Sequence, residues 1–236
     1  MLKICFSWDD GAIEDLKLIE LHYKYDLPAI FFTPTYNSEG REVLTSKQIM
    51  ASSSELISFG GHTQNHVYLT DIPIKKVENE IYENQIYLED ILGRKVDHFC
   101  LPGGKYNTSI LNIAFKYYKT VRTADTMNFK NATNLIHPTI HFYPRTYKSH
   151  VGNSIRNHAY KEAIYIMFHP HYNFLDLTKK LLTIDKEDDK TIIIWGHSWE
   201  IDEMGLWDEI EELLLYIANN YKDCVIKYSN LLPVSV

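Results

Sequence analysis

Short apolar runs alternate with helix-length amphipathic segments along the whole chain, and that alternation constrains the fold more than any other feature. Runs at Leu2–Ser7, Ala29–Thr33, Leu56–Gly60, His98–Leu101, Thr120–Thr123, Ala163–Phe168, Thr191–Trp195 and Cys224–Lys227 read as strands. The clearest helix carries Ile74, Val77, Ile81, Leu88 and Ile91 on one stripe, opened by Pro73 and stopped by Gly93. A second helix is expected from Leu206 to Tyr221, with Asp208, Glu209, Glu211 and Glu212 in the half that the helix dipole favours for acids. A third spans Ile13–Tyr25. Strands alternating with helices imply parallel pairing through right-handed crossovers. Seven or eight such units without a linker or repeat point to one α/β domain over residues 1–236, a (β/α) barrel rather than an open doubly wound sheet. Reactive residues should then stand at the C-terminal ends of strands.

Charge and composition remove several function classes. With 24 basic and 31 acidic side chains the net charge is -7, and the Lys and Arg are scattered. Nucleic acid is therefore not an expected partner, since its binders present a basic face to phosphate. No window approaches the ~18 apolar residues of a membrane span. Met1 leads into Leu2-Lys3-Ile4-Cys5-Phe6, which lacks the form of a signal peptide, so the expected location is the cytoplasm. Cys5, Cys100 and Cys224 are odd in number and far apart, which suggests buried free thiols rather than a disulfide framework.

The strand ends do carry reactive residues. The first is followed by Asp9-Asp10-Gly11, where adjacent carboxylates need a nearby positive charge. A metal ion would take one as ligand and leave the other as base; a plain acidic loop capping the next helix explains the pair equally well. After the third strand come His62 and His66, whose i, i+4 spacing would aim both imidazoles one way within a helical turn. With Asp10 they form a two-histidine, one-carboxylate set. Chance also yields such spacing among 11 histidines: His137 and His141 share it, but Pro138 makes that segment extended and would hold the side chains roughly 13 Å apart. His169-Pro170-His171 suits a structural or pocket role better than a metal site. Pro102-Gly103-Gly104 exposes backbone N–H groups fit for an oxyanion, or is ordinary turn chemistry. His197, with Ser198-Trp199-Glu200 after it, fits a general acid beside a stacking ring as well as it fits a half-buried histidine without chemistry.

Taken in order, Asp-Asp-Gly, His-Thr-x-x-His, Pro-x-Gly and a late strand-end histidine resemble the polysaccharide deacetylase family, or carbohydrate esterase family four. Ser7-Trp8-Asp9-Asp10-Gly11 is similar to the family's Thr-Phe-Asp-Asp-Gly, and His62-Thr63-Gln64-Asn65-His66 fits its histidine motif unaltered. The resemblance runs from Cys5 to about Asn230. It implies a distorted, seven-stranded (β/α) barrel in which Asp10, His62 and His66 hold a divalent metal, most often zinc. Asp9 would be the base, His197 the acid, and the Thr63 hydroxyl a brace for the metal loop. Trp195, Trp199 and Trp207 are candidates to line the sugar pocket.

Two departures stand out. Cys100 occupies the place of the arginine that usually orients the base, and the Arg122-Thr123 pair after the next strand suggests that Arg122 pairs with Asp9 instead. The family's fourth motif is missing; Arg145 is a candidate substrate contact in its stead. The implied activity is removal of an N-acetyl group from an amino sugar. For a cytoplasmic enzyme the substrate would be a nucleotide-linked or lipid-linked saccharide. The rivals are an O-acetyl esterase, a hydrolase of non-sugar amides or cyclic imides, and an inactive glycan-binding module.

Overall fold

The structure is a computed structural model that describes residues 1–129, 133–169, 173–183 and 190–231. Its strands are β1 (Lys3–Asp9), β2 (Ala29–Thr33), β3 (Ile57–Gly61), β4 (His98–Cys100), β5 (Thr120–Arg122), β6 (Leu135–Ile136), β7 (Ile140–His141) and β8 (Thr191–His197). All pair in parallel, in the order β6-β5-β4-β3-β2-β1-β8-β7. The helices are α1 (Asp15–Tyr25), α2 (Ser46–Ser52), α3 (Ile74–Leu92), α4 (Thr108–Tyr117), α5 (Tyr147–Arg156), α6 (Tyr160–Phe168), α7 (Phe174–Leu181), α8 (Ser198–Glu203) and α9 (Trp207–Tyr221).

Side chains that meet across the sheet show how it curls. β1 and β5 are four intervals apart, roughly 19 Å in a flat sheet. Yet Arg122 of β5 is ion-paired with Asp9 of β1, and its guanidinium lies 4.9 Å from the Trp195 ring centre on β8. The sheet therefore bends into an open barrel; among the described residues no ladder joins the edge strands β6 and β7.

Alternation along the strands sorts the core in two. Ile4, Phe6 and Trp8 of β1, Phe31 of β2, and Ile192 and Ile194 of β8 pack outward against the helices. Cys5, Ile30, Phe32, Cys100, Ile136 and Ile193 fill the barrel interior, which Tyr228 and Leu231 help to fill. Strands buried on both faces read as continuous apolar runs, which is why they stand out in the sequence. The helix α3 buries Val77, Ile81 and Leu88, and Gly93 ends it in the left-handed conformation at φ 62°.

Four expectations are corrected. The sheet has eight strands where the resemblance implies seven, and two of them, the two-residue β6 and β7, are too short to leave a period-two pattern in the sequence. Ala163–Phe168 lies within helix α6. A short apolar run carries no period that separates strand from helix. Cys224–Lys227 forms no strand; a single bridge joins Val225 to Ile4 beside a 3-10 turn. The helix expected from Ile13 starts at Asp15, and neither Asp9 nor Asp10 caps it. Cys5 and Cys100 are buried free thiols, while Cys224 is half-buried.

Candidate active site

A cavity of about 320 Å³ opens at the C-terminal ends of the strands. Asp9, Asp10, His62, His66, Gly103, Arg122, Arg145, Trp195, His197 and Trp199, all singled out from the sequence, line it, whereas Pro102, Thr63 and Trp207 do not. Pro102 is buried at the start of the turn that presents Gly103. At Gly103, φ is 61° and a Cβ would stand 2.6 Å from the Tyr68 ring, so only glycine fits.

Asp10 follows the last residue of β1 in the left-handed region, φ 75°, which turns its carboxylate toward the β3–α3 loop. His62 and His66 approach it through an irregular loop, not through the expected helical turn: Thr63 and His66 both have positive φ, 68° and 51°. A left-handed threonine is costly and persists only where its surroundings hold it. Among the described residues the buried Thr63 hydroxyl has no hydrogen-bond partner, so it does not supply the expected brace. Helix α3 holds the loop instead. Asn84 Oδ1 accepts from the His62 backbone N–H at 2.8 Å while its Nδ2 donates to the Thr33 carbonyl. Glu80 accepts from the backbone and side chain of Asn65 at 2.9 and 2.8 Å. Asn84 interrupts the stripe Val77, Ile81, Leu88, and a polar residue at a core position was the legible signal for this role.

Asp10 Oδ1 lies 3.2 Å from His62 Nε2 and 2.9 Å from His66 Nε2. His62 Nδ1 already donates to the Cys100 carbonyl at 2.8 Å, so a neutral His62 turns a bare Nε2 lone pair onto a carboxylate oxygen. Two lone pairs at that distance repel unless a cation sits between them, so the donor set fits a divalent metal. Trp199 Nε1 donates to Asp10 Oδ2 at 2.8 Å, and Arg41 stacks on the Trp199 ring at 3.5 Å. Trp199 thus orients the candidate ligand. Burial opposes the Asp10 charge, but His197 and the two imidazoles hold its carboxyl well below the usual range. His66 is raised above its ordinary value: burial works against its charge and Asp10 more than offsets it.

Two other donor groupings are less suited. Asp9, His62 and Cys100 lie together, but Arg122 already supplies the positive charge there and burial keeps the Cys100 thiol protonated. His141, His197 and Glu200 also converge, but His141 Nε2 and His197 Nδ1 already share Glu200 Oε2 as their acceptor.

Asp9 is held on one side only. Its Oδ2 accepts from Arg122, and Cys100 Sγ lies 3.6 Å from the same atom, while the buried Oδ1 has no partner among the described residues. Arg122 is fully buried and also donates to the Thr123 carbonyl at 2.9 Å. Across the cavity, His197 Nδ1 donates to Glu200 Oε2 at 2.6 Å, leaving Nε2 3.9 Å from Asp10 Oδ2. Burial disfavours the imidazolium, but Asp10 and Glu200 raise the His197 pKa to about 9. Glu200 also accepts from His141 Nε2 at 2.9 Å; despite burial, these two hydrogen bonds hold its pKa at about 2.

His137 and His141 do not come together as a pair, but His141 belongs to the cavity by itself. His137 hydrogen-bonds Thr123 outside the cavity, whereas His141 lines the cavity and stacks on Trp195 with ring centres 4.1 Å apart. Arg145 donates to its Nδ1 from Nε and Nη2 at 3.2 and 3.0 Å, and burial pushes its pKa to about 4. The sequence assigns no role to Glu200 or His141, because only folding brings β7 beside β8 and joins the two. Trp207 lies outside the cavity, under Lys17. His169 is exposed at the end of α6; Pro170 and His171 lie outside the described residues.

Known proteins are similar to this chain in sequence and in fold. Residues 3–121 match the family model described as polysaccharide deacetylase. A peptidoglycan-N-acetylglucosamine deacetylase of Bacillus cereus is 25% identical over 166 residues, 68% of this chain and 67% of its own. The Streptococcus pyogenes deacetylase PplD, solved in complex with acetate, aligns at 25% identity and a TM-score of 0.51. That alignment covers 57% of this chain and 62% of PplD, so under two thirds of that structure has a counterpart here. A family 4 carbohydrate esterase from Streptomyces lividans, 14% identical, shares the fold over 95% of this chain and 91% of its own at a TM-score of 0.59.

Proposed function

Because the chain belongs to the polysaccharide deacetylase family, we propose that it hydrolyses the N-acetyl group of an amino sugar in a glycan or glycan precursor, with a divalent cation, zinc, held by Asp10, His62 and His66. The observation that carries this reading is the meeting of two imidazole nitrogens on one carboxylate oxygen, at the mouth of a cavity that also holds Asp9 and His197. The N-acetyl choice is supported by the Bacillus cereus relative, which is named for N-acetylglucosamine.

When bound, such a cation supplies Lewis-acid polarisation of a carbonyl and makes water more acidic. The residues of the chain do the rest. Asp9 uses its unpartnered Oδ1 to take the proton of the attacking water, while Arg122 fixes Oδ2 and so the direction of the lone pairs. The Gly103 backbone N–H faces the negative charge that develops on the acetyl oxygen. His197 gives its Nε2 proton to the sugar nitrogen as the C–N bond breaks, with Glu200 holding Nδ1. A C–O bond has formed to water, and the products are acetate and the free amine. Arg145 stands exposed at the cavity rim, suited to polar groups of the saccharide.

The test is acetate release from N-acetylglucosamine oligomers by the metal-stripped protein with and without added zinc. Zinc should restore activity, and Asp9→Asn or His197→Ala should each lower it about 10²- to 10⁴-fold. Arg122→Ala should lower turnover with metal content unchanged. Release of acetate from acetylated xylan alone, or opening of cyclic imides alone, would overturn the proposed substrate; no hydrolysis with metal bound would favour a glycan-binding module.

A further inference from the structure

Helices α5 and α6 turn large apolar side chains to solvent. Helix α5 buries His150 and Ser154 while exposing Tyr147 and Ile155. Helix α6 buries Ala163 and Ile166 and exposes Tyr160, Ile164, Met167 and Phe168, at spacings of four, three and one. Those four are 55%, 57%, 57% and 78% exposed, one apolar stripe turned to solvent. Charge sets this region apart too. Residues 145–180 hold six Lys or Arg and two Asp or Glu, a local +4 in a chain of -7. One of the two acids, Glu162, is buried against Lys190. Lys148, Arg156 and Lys161 are exposed on the same two helices.

We propose that the α5–α6 hairpin docks on an anionic lipid surface. The composition is that of an interfacial element: an exposed apolar stripe with tyrosines, and exposed cations, on helices too short to span a bilayer. The acidic remainder of the chain is repelled by such a surface, so the charge asymmetry also fixes which side faces it. A second copy fits less well, because a two-fold contact through this face would set its cations against themselves. The hairpin begins two residues after Arg145, at the rim of the cavity. If the proposed deacetylase reading holds, a lipid-anchored saccharide would therefore be presented beside the site.

Co-sedimentation of the full chain with phosphatidylcholine vesicles, with and without phosphatidylglycerol, tests this without any assay of hydrolysis. Binding is expected with phosphatidylglycerol, weakening as salt rises. The triple variant Ile164→Ser, Met167→Ser, Phe168→Ser should lower it about tenfold or more. Lys148→Ser and Arg156→Ser should each lower it about fivefold, the equivalent of ~1 kcal/mol per basic side chain near an anionic surface. Circular dichroism should be unchanged in all of them, since each side chain is exposed. No binding to either vesicle, or binding that all the variants retain, would overturn the proposal. So would a dimer that the triple variant dissociates in the absence of vesicle binding, which would assign the face to a second copy.

Discussion

Trp199 carries out its task through one N–H. Its indole donates to Asp10 Oδ2 while its ring face carries Arg41, so Trp199→Phe removes the first contact and keeps the second. Zinc affinity should fall about 10- to 100-fold, the usual cost of losing a hydrogen bond to a ligand, as titration calorimetry would register. Glu200 acts on His197 by charge. Its carboxylate helps to raise that imidazole, so Glu200→Gln should shift the alkaline limb of the pH–rate profile to lower pH, by about one unit or more. An unmoved limb would exclude His197 as the acid. Asp15 offers a stability test beneath the site. Burial, with the charges of Asp10 and Asp9 behind it, raises its pKa well above the ordinary value of 3.8. A carboxyl raised on folding stabilises most below its unfolded pKa and loses that contribution as pH climbs toward the folded one. Asp15→Asn should therefore gain stability relative to the parent between acid and neutral pH in urea titrations. At this scale the sequence is informative where chemistry is contiguous: Asp9-Asp10 and His62-x-x-x-His66 can be read as motifs. It is silent on Glu200 and His141, whose 59-residue separation is closed only by the pairing of β7 with β8.

Among the elements, α3 does more than cover the sheet. The amide of Asn84 joins the His62 backbone to the Thr33 carbonyl, so Asn84→Ala leaves two buried backbone groups without partners. That should cost about 1–3 kcal/mol for each group left unsatisfied, and should loosen zinc as well. Chemical denaturation and metal titration of one variant would measure both, and an unchanged metal affinity would detach the helix from the site. The long periodic helices α3 and α9 were legible because burial of a single face imposes the 3.6 period. Residues 163–168 misled because α6 turns Ile164, Met167 and Phe168 outward as well as Ala163 and Ile166 inward. With apolar residues on both sides, a helix leaves no alternation to read.

The whole molecule is a parallel sheet bent until Arg122 reaches Asp9 from four strands away. The parallel α/β class follows from the strand–helix alternation; the degree of curl does not, because it depends on which side chains meet inside. Phe32 is one of the largest of these and lies 5.5 Å from the Arg122 guanidinium. Phe32→Ala should cost about 3–5 kcal/mol in stability. The central claim is that two separated segments, the end of β1 and the loop after β3, make one cation site, and anomalous diffraction from crystals grown with zinc tests it most directly. The account predicts a zinc peak about 2.0–2.2 Å from Asp10 Oδ1, His62 Nε2 and His66 Nε2. A peak on Asp9, His62 and Cys100, a peak on His141, His197 and Glu200, or no peak at all would contradict it.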